Sequence, residues 1–469
     1  MTQEYVFDVA VLGGGPGGYP AAIRCAQSGK RVCIIEKKEL GGTCLNRGCI
    51  PSKILIANAE VLTRAQAAAE FGVLVGDVSF DYGKMVDRKE QIVSKTRRGL
   101  EGLIKENKIE VIRGFGKLVS STEIQVSSDD NTSSIVRADK IIIATGSEPK
   151  MINAFPFDYE KIHDSTSLLE LRTLPESLVI IGGGIIGCEF ASLYSALGVK
   201  VSIVEMMASI LPMESQNVSS FLMKSFKKKG IGIYTNAVVQ SVKRQDDRVI
   251  VDLAGQGTLE ADIALVAVGR SLNVKGIGLE DVGVDVSENG IVIVDEKMET
   301  SVPGVYAIGD IASKWWLAHV ASHQGIVAAK NTCGMEAHMN YNAVPSVIFT
   351  DPEIGTVGLS LEAASKQGFA ATVGAFPFQA LGKSQATAQT EGFAQIVVDR
   401  YTGQILGAQV VGHEASSLVA EMAVAVANEL TVESIAETIH AHPTIAEAWL
   451  EAAFVAMDTP LHLPPKVQK

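Results

Sequence analysis

The chain has 469 residues, of which 47% are hydrophobic and 20% charged, with 44 glycines and 15 prolines. That balance is globular, large enough for several domains, and excludes bulk disorder. A formal net charge of −12, with basic residues scattered apart from short runs such as Lys227-Lys228-Lys229, excludes a phosphate track, so no nucleic-acid partner is expected.

The first residues, MTQEYVFDVAVLGGG, enter an apolar strand at once and leave no room for a secretory leader, so export is not expected. Residues 7–18, FDVAVLGGGPGG, carry that strand into Gly13-x-Gly15-x-x-Gly18, and YPAAIRCAQSGK has helical apolar spacing with a glycine near its end. The next strand, RVCIIE, ends at Glu36. In such a unit Gly13 permits the tight turn, Gly15 lets backbone approach a pyrophosphate, and Gly18 allows close helix packing. The helix amino end favours the anion, and the Glu36 carboxylate can hold the hydroxyls of an adenosine ribose.

Residues 41–53, GGTCLNRGCIPSK, place Cys44 and Cys49 close together behind a glycine turn. A disulfide there closes so short a loop that it stabilises by only about 2 kcal/mol, which makes a structural staple a poor explanation. Neither a second cysteine pair nor a nearby histidine supplies the remaining zinc ligands, so no metal is expected and redox chemistry is left. Gly41, Gly42 and Thr43 are expected to turn into one helix whose positive end favours thiolate at both sulfurs. The scattered Cys25, Cys33, Cys188 and Cys333 read as inert core thiols. Arg47, between the redox pair, is either a solvent-facing side chain or a charge that favours thiolate and affects substrate access.

The nucleotide pattern recurs at 177–205, SLVIIGGGIIGCEFASLYSALGVKVSIVE, with Gly182, Gly184 and Gly187 followed by Glu205. One glycine motif is a weak signal, but two strand-turn-helix-strand units with matched acids point to two dinucleotide sites. IIIATG at 141–146 and ALVAVG at 264–269 read as closing strands, and GVYAIGD sets Asp310 just past another buried strand. Glu205 is followed by Met206, Met207 and Ala208, with no guanidinium to meet a 2′-phosphate, so NAD is expected over NADP.

Near residue 344, AVPSVIFTDPEIGTVG begins a new series of β-rich segments with proline and glycine punctuation. SLVAEMAVAVAN at 417–428 is interrupted by Glu421 and reads as a buried helix; no apolar run reaches the length of a membrane span, and no membrane insertion is expected. HAHPTIAEA at 440–448 offers two histidines as bases, His440 and His442, with Glu447 close enough to orient an imidazole. The spacing does not choose between them.

Through GGTCLNRGCIPSK, ATGSEP, IGGGIIGCEF, VYAIGDI, LAH at 317–319 and HAHPTIAEA, the sequence resembles the flavoprotein pyridine nucleotide-disulfide oxidoreductases over essentially its whole length, and most closely their branch that oxidises dihydrolipoyl groups. The resemblance implies an α/β fold with two Rossmann-like domains and a C-terminal α+β dimerisation domain. The implied regions are an FAD domain at 1–149, an NAD domain at 150–271, a central domain at 272–343 and an interface domain at 344–469. FAD would meet Gly13, Gly15, Gly18, Glu36, Thr43, Lys53, Gly116, Thr145, Gly146, Asp310 and Ala318. NAD would meet Gly182, Gly184, Ile186, Gly187, Glu189, Glu205, Val238 and Gly269.

By the same resemblance Cys49 faces the flavin, Cys44 exchanges with substrate, and Lys53 pairs with Glu189. The base is His442, held by Glu447 and acting on the partner subunit's disulfide, so the unit is a homodimer. The partners implied are lipoyl domains of 2-oxo acid dehydrogenase complexes or the glycine cleavage H protein. The implied location is a bacterial-type cytoplasm. Rival readings are another NAD(P)H-dependent disulfide reductase of the family and a docked assembly subunit without catalysis. The intact dithiol and both nucleotide motifs disfavour the second, and the lack of a C-terminal cysteine pair disfavours mercuric and large thioredoxin reductases.

Overall fold

The structure, a computed structural model, describes residues 3–128 and 132–464. The chain packs as two units. One comprises Met1–Asn153, Asp164–Leu174 and Val268–Asn340; the other comprises Ala154–His163, Pro175–Ala267 and Tyr341–Lys469.

In the first unit, β1 (Gln3–Leu12) lies parallel between β2 (Val32–Glu36) and β6 (Ser133–Ile143). β3 (Glu110–Arg113) extends the sheet beyond β2, while β5 (Glu123–Ser127) adds antiparallel to β6 and β4 (Phe115–Ser120) antiparallel to β5. The strand Val305–Ala307 pairs with the last residues of β6. β2 is buried along its whole length, as are Ile141, Ile142 and Ile143, the continuous apolar pattern of a parallel sheet covered on both faces. Three helices follow the site in sequence: α1 (Gly18–Gln27), α2 (Gly42–Arg47) and α3 (Cys49–Gln66). The long α4 (Tyr82–Glu106) starts at Asp81, whose carboxylate accepts the Lys84 amide at 3.1 Å and so satisfies one donor of the exposed first turn.

The second unit repeats the parallel motif. Its strands run Gly232–Tyr234, Lys200–Val204, Ser177–Ile181, Ile263–Val266 and Ile162–His163 in spatial order, all parallel. The same unit holds a five-stranded antiparallel sheet in the order Ser346–Ile348, Ile354–Gly358, Ile405–Val411, Phe393–Asp399, Ala371–Pro377. The helices Ala415–Ala427 and Glu447–Ala456 pack on that sheet around the fully buried Trp449, whose indole donates to the Leu418 carbonyl. The apolar run at 417–428 forms the helix Ala415–Ala427, which is buried on one face through Leu418, Val419, Met422, Ala425 and Val426 and leaves Val424 exposed, in place of the fully buried helix expected. Among the described residues no helix is long and apolar enough to cross a membrane.

Candidate active site

The two glycine turns are built alike. Gly13 and Gly182 have φ of +107° and +106°, a region a side chain rarely enters. A Cβ at Gly18 would lie 1.9 Å from the Gly13 carbonyl oxygen, and one at Gly187 would lie 2.0 Å from that of Gly182, so any side chain there would lift the helix off the turn. The middle glycines differ in kind. Gly184 has nothing within 4 Å of its notional Cβ, and Gly15 has only Gly42 Cα at 3.9 Å. The middle position therefore faces open space that a side chain would fill, which suits a pyrophosphate brought up to backbone amides.

The matched acids are also held alike. Glu36 accepts the Gly14 amide at 2.7 Å on one oxygen and the Lys38 amide at 2.8 Å on the other. Glu205 accepts the Gly183 amide at 2.7 Å and the Met207 amide at 2.7 Å. Each buried carboxylate is thus fixed by its own turn and keeps further acceptor capacity for a ribose hydroxyl. The residues fit two dinucleotides, FAD and NAD.

Around the first turn the structure gathers most of the expected flavin set. The Gly41 amide donates to the Gly14 carbonyl at 2.8 Å, and Gly42 lies so near Gly15 that a Cβ would come within 2.7 Å of its Cα. The start of α2, with Thr43 in it, is therefore seated on the nucleotide turn. Gly116 is buried where a Cβ would meet Leu12 and Ile124, close to the end of β1. Ala318 opens the helix Ala318–Thr332, whose Ser322 hydroxyl donates to the Pro16 carbonyl at 2.7 Å. Thr145 and Asn273 exchange hydrogen bonds at 2.8 and 2.9 Å, and Gly146 adopts φ of +68° beside them. Asp310 accepts from the Ser147 hydroxyl, which also accepts from Arg270 Nε at 2.7 Å. Ser147 lies in the ATGSEP stretch, but Arg270 carries no motif in the sequence, and strand pairing of Ser147–Pro149 with Arg270–Leu272 brings the two together.

The dithiol departs from the single-helix expectation. The chain breaks at Gly48 with φ −143° and ψ −108°, so Cys44 lies in α2 and Cys49 begins α3. Cys44 is partly buried and Cys49 is exposed. The neighbouring Cys49 and then burial push the Cys44 thiol up, against a lowering by Lys53. Thiolate character is therefore not favoured at both sulfurs: negative charge on Cys49, at the head of the longer helix, opposes charge on Cys44. Tyr19, another residue without a sequence signal, has its phenol raised by burial and then by Cys44 beside it. Arg47 does not face solvent as an unpaired charge; it pairs with Glu39 at 3.1 Å.

In the second unit, Glu189 lies buried in the helix Ile185–Ala196 and accepts the Phe349 amide at 3.0 Å. Ile186 sits in the first turn of that helix and Val238 is exposed. Gly269 and Lys53 belong to the first unit. The two histidines, which the spacing leaves equivalent, differ sharply. His440 is 5% exposed at its side chain, with Nε2 3.1 Å from Glu421 and Nδ1 2.8 Å from the Thr438 carbonyl oxygen. His442 is 75% exposed, with Nδ1 2.8 Å from Glu447. Burial raises the Glu447 pKa, but the Thr444 amide and His442 more than reverse this and hold it below the usual carboxylate range. An ionised Glu447 requires the hydrogen on Nδ1 and leaves Nε2 as the basic nitrogen of an accessible ring.

The model of the pyridine nucleotide-disulphide oxidoreductases matches residues 7–325, and that of their dimerisation domain matches 344–453. The chain is 50% identical over 466 residues to the dihydrolipoyl dehydrogenase of Chlamydia pneumoniae, covering 99% of this chain and 100% of the relative. It is 41% identical over 459 residues to that of Geobacillus stearothermophilus, covering 97% of each. The crystal structure of LpdA from Mycobacterium tuberculosis superposes with a TM-score of 0.90 at 30% identity, covering 96% of this chain and 99% of that one. The chain belongs to the pyridine nucleotide-disulphide oxidoreductase family.

Proposed function

We propose that the chain oxidises dihydrolipoyl groups to lipoyl disulfides and delivers the electrons to NAD, as a homodimeric dihydrolipoyl dehydrogenase. The reading is carried by one combination: a dithiol seated on the first nucleotide turn in a chain that also holds an accessible histidine–glutamate pair. Likeness to dihydrolipoyl dehydrogenases across nearly the whole chain supports the same substrate. FAD, when bound, supplies the two-electron relay between the dithiol and NAD.

The residues divide the work as follows. Nε2 of His442 takes the proton of a dihydrolipoyl thiol, and Glu447 holds the ring and stabilises the imidazolium. The resulting thiolate attacks Cys44 in the oxidised pair, and the Cys44–Cys49 bond breaks with its electron pair going to Cys49. The second substrate thiol then displaces Cys44, leaving lipoyl disulfide and the enzyme dithiol, so two electrons pass from substrate to enzyme. The base would come from the partner subunit, in keeping with the dimerisation domain. The ribose of FAD would meet Glu36 and that of NAD would meet Glu205, with Lys53 and Glu189 pairing near the flavin ring. The regions would be an FAD domain to about residue 149, an NAD domain to about 271, a central domain to about 343 and an interface domain beyond. The working partners would be lipoyl domains of 2-oxo acid dehydrogenase complexes or of the glycine cleavage system, in a cytoplasm.

The test is NADH formation from dihydrolipoamide and NAD by the purified flavoprotein, with NADP run in parallel. Rapid NAD-dependent turnover is expected. An inactive protein with flavin bound would overturn the substrate.

A further inference from the structure

The first unit holds a second pair of cysteines that the proposed reaction does not use. Cys25 lies in α1, and Cys333 caps the helix Ala318–Thr332. The two helices run close because small residues face each other: a Cβ at Gly325 would lie 2.4 Å from the Gly17 carbonyl oxygen and 3.4 Å from Ala21 Cβ. Farther along, the Cys25 sulfur lies 3.4 Å from the Thr332 hydroxyl, and that hydroxyl lies 4.0 Å from the Cys333 sulfur. The Thr332 hydroxyl thus lies between the two thiols. Cys33 and Cys188, by contrast, are buried among apolar strands and helices.

We infer that Cys25 and Cys333 form a peroxide-responsive dithiol that closes as a disulfide between α1 and the helix Ala318–Thr332. Cys333 is partly exposed, whereas Cys25 is buried, so Cys333 is the sulfur a peroxide meets first. Its thiolate attacks one oxygen of hydrogen peroxide, the O–O bond breaks, and a sulfenic acid and one water form. Cys25 then displaces the sulfenic hydroxyl, its proton leaving with that group as a second water. The two thiols lose two electrons in all, and the peroxide gains them. Burial pushes the Cys25 thiol up to about 12, which suits the resolving sulfur rather than the one that attacks the peroxide. The bond would latch together the two helices whose amino ends meet at the Pro16–Gly18 turn.

The test treats reduced, flavin-loaded protein with graded hydrogen peroxide, alkylates it under denaturing conditions and maps a non-reducing tryptic digest by mass. The expected product joins Cys25–Lys30 to Asn331–Lys366, two hydrogens lighter than the separate peptides and released by dithiothreitol. Joined Glu39–Arg47 and Gly48–Lys53 peptides report closure of the redox pair in the same sample. Recovery of Cys25 and Cys333 as separate alkylated or over-oxidised residues, once the redox pair has closed, overturns the inference. In Cys333→Ser protein the cross-link should be lost and Cys25 recovered as an alkylated thiol; oxidation of Cys25 into any other disulfide there also overturns it.

Discussion

Serine in place of Cys44 or Cys49 removes the disulfide that accepts the substrate's electron pair. Either variant should turn over dihydrolipoamide at less than about one-thousandth of the parent rate while still binding flavin; near-normal turnover would remove the dithiol from the mechanism. His442→Gln should slow the thiol half-reaction by about 10²–10⁴-fold and leave flavin reduction by NADH intact. Stopped-flow absorbance separates the two halves. The Glu447 pKa is depressed, so its support of His442 is present above the ordinary carboxylate range and is lost only as pH falls through the lowered value. In Glu447→Gln the imidazolium loses that support. The acid limb of kcat/KM should shift to lower pH as kcat falls, and an unmoved limb would count against the pairing.

Packing of elements sets how firmly these groups are held. Gly374, in the strand Ala371–Pro377, lies against the helix Glu447–Ala456 so closely that a Cβ would come within 2.1 Å of the Ala452 carbonyl oxygen. Gly374→Ala must push away the helix whose first residue is Glu447, at a cost of about 1–3 kcal/mol or more. Thermal unfolding should show the loss, and a variant as stable as the parent would mean the helix can shift freely. Glu214 is raised by burial, against a hydrogen bond from Thr356 of the strand Ile354–Gly358. A carboxyl with a raised folded pKa stabilises fully below its unfolded value and loses that contribution as pH rises through the folded one. Glu214→Gln should therefore raise the melting temperature at neutral pH and leave it unchanged near pH ~4; equal shifts at both would contradict the assignment.

For the whole molecule, the proposed shared base makes a clear demand. Chains carrying Cys44→Ser, which keep the base, and chains carrying His442→Gln, which keep the dithiol, should complement each other. One of the two sites in each mixed dimer regains both groups. Random reassociation of the two variants should restore about one-quarter of parent activity; none should return if His442 serves its own chain. Much of this layout was legible in the sequence, because turn glycines and strand-end acids recur at short spacing in both nucleotide units. The single-helix picture of the dithiol failed because Gly48 gives no local sign that it ends one helix and starts another. Tyr19 beside Cys44, Arg270 beside Ser147, and Cys25 beside Cys333 were illegible because their partners come from distant parts of the chain. The spacing leaves His440 and His442 equivalent and only the family resemblance chooses His442, because two residues of spacing do not encode burial.

The twin carboxylate clamps make this polypeptide its own reference. Glu36 and Glu205 accept backbone amides at near-identical distances, so each acid is fixed by its own turn in the same way. The same substitution made at each therefore perturbs two equivalent devices in one background. Any difference in the resulting affinity losses measures what the remainder of each ligand contributes, with the scaffold cancelled out.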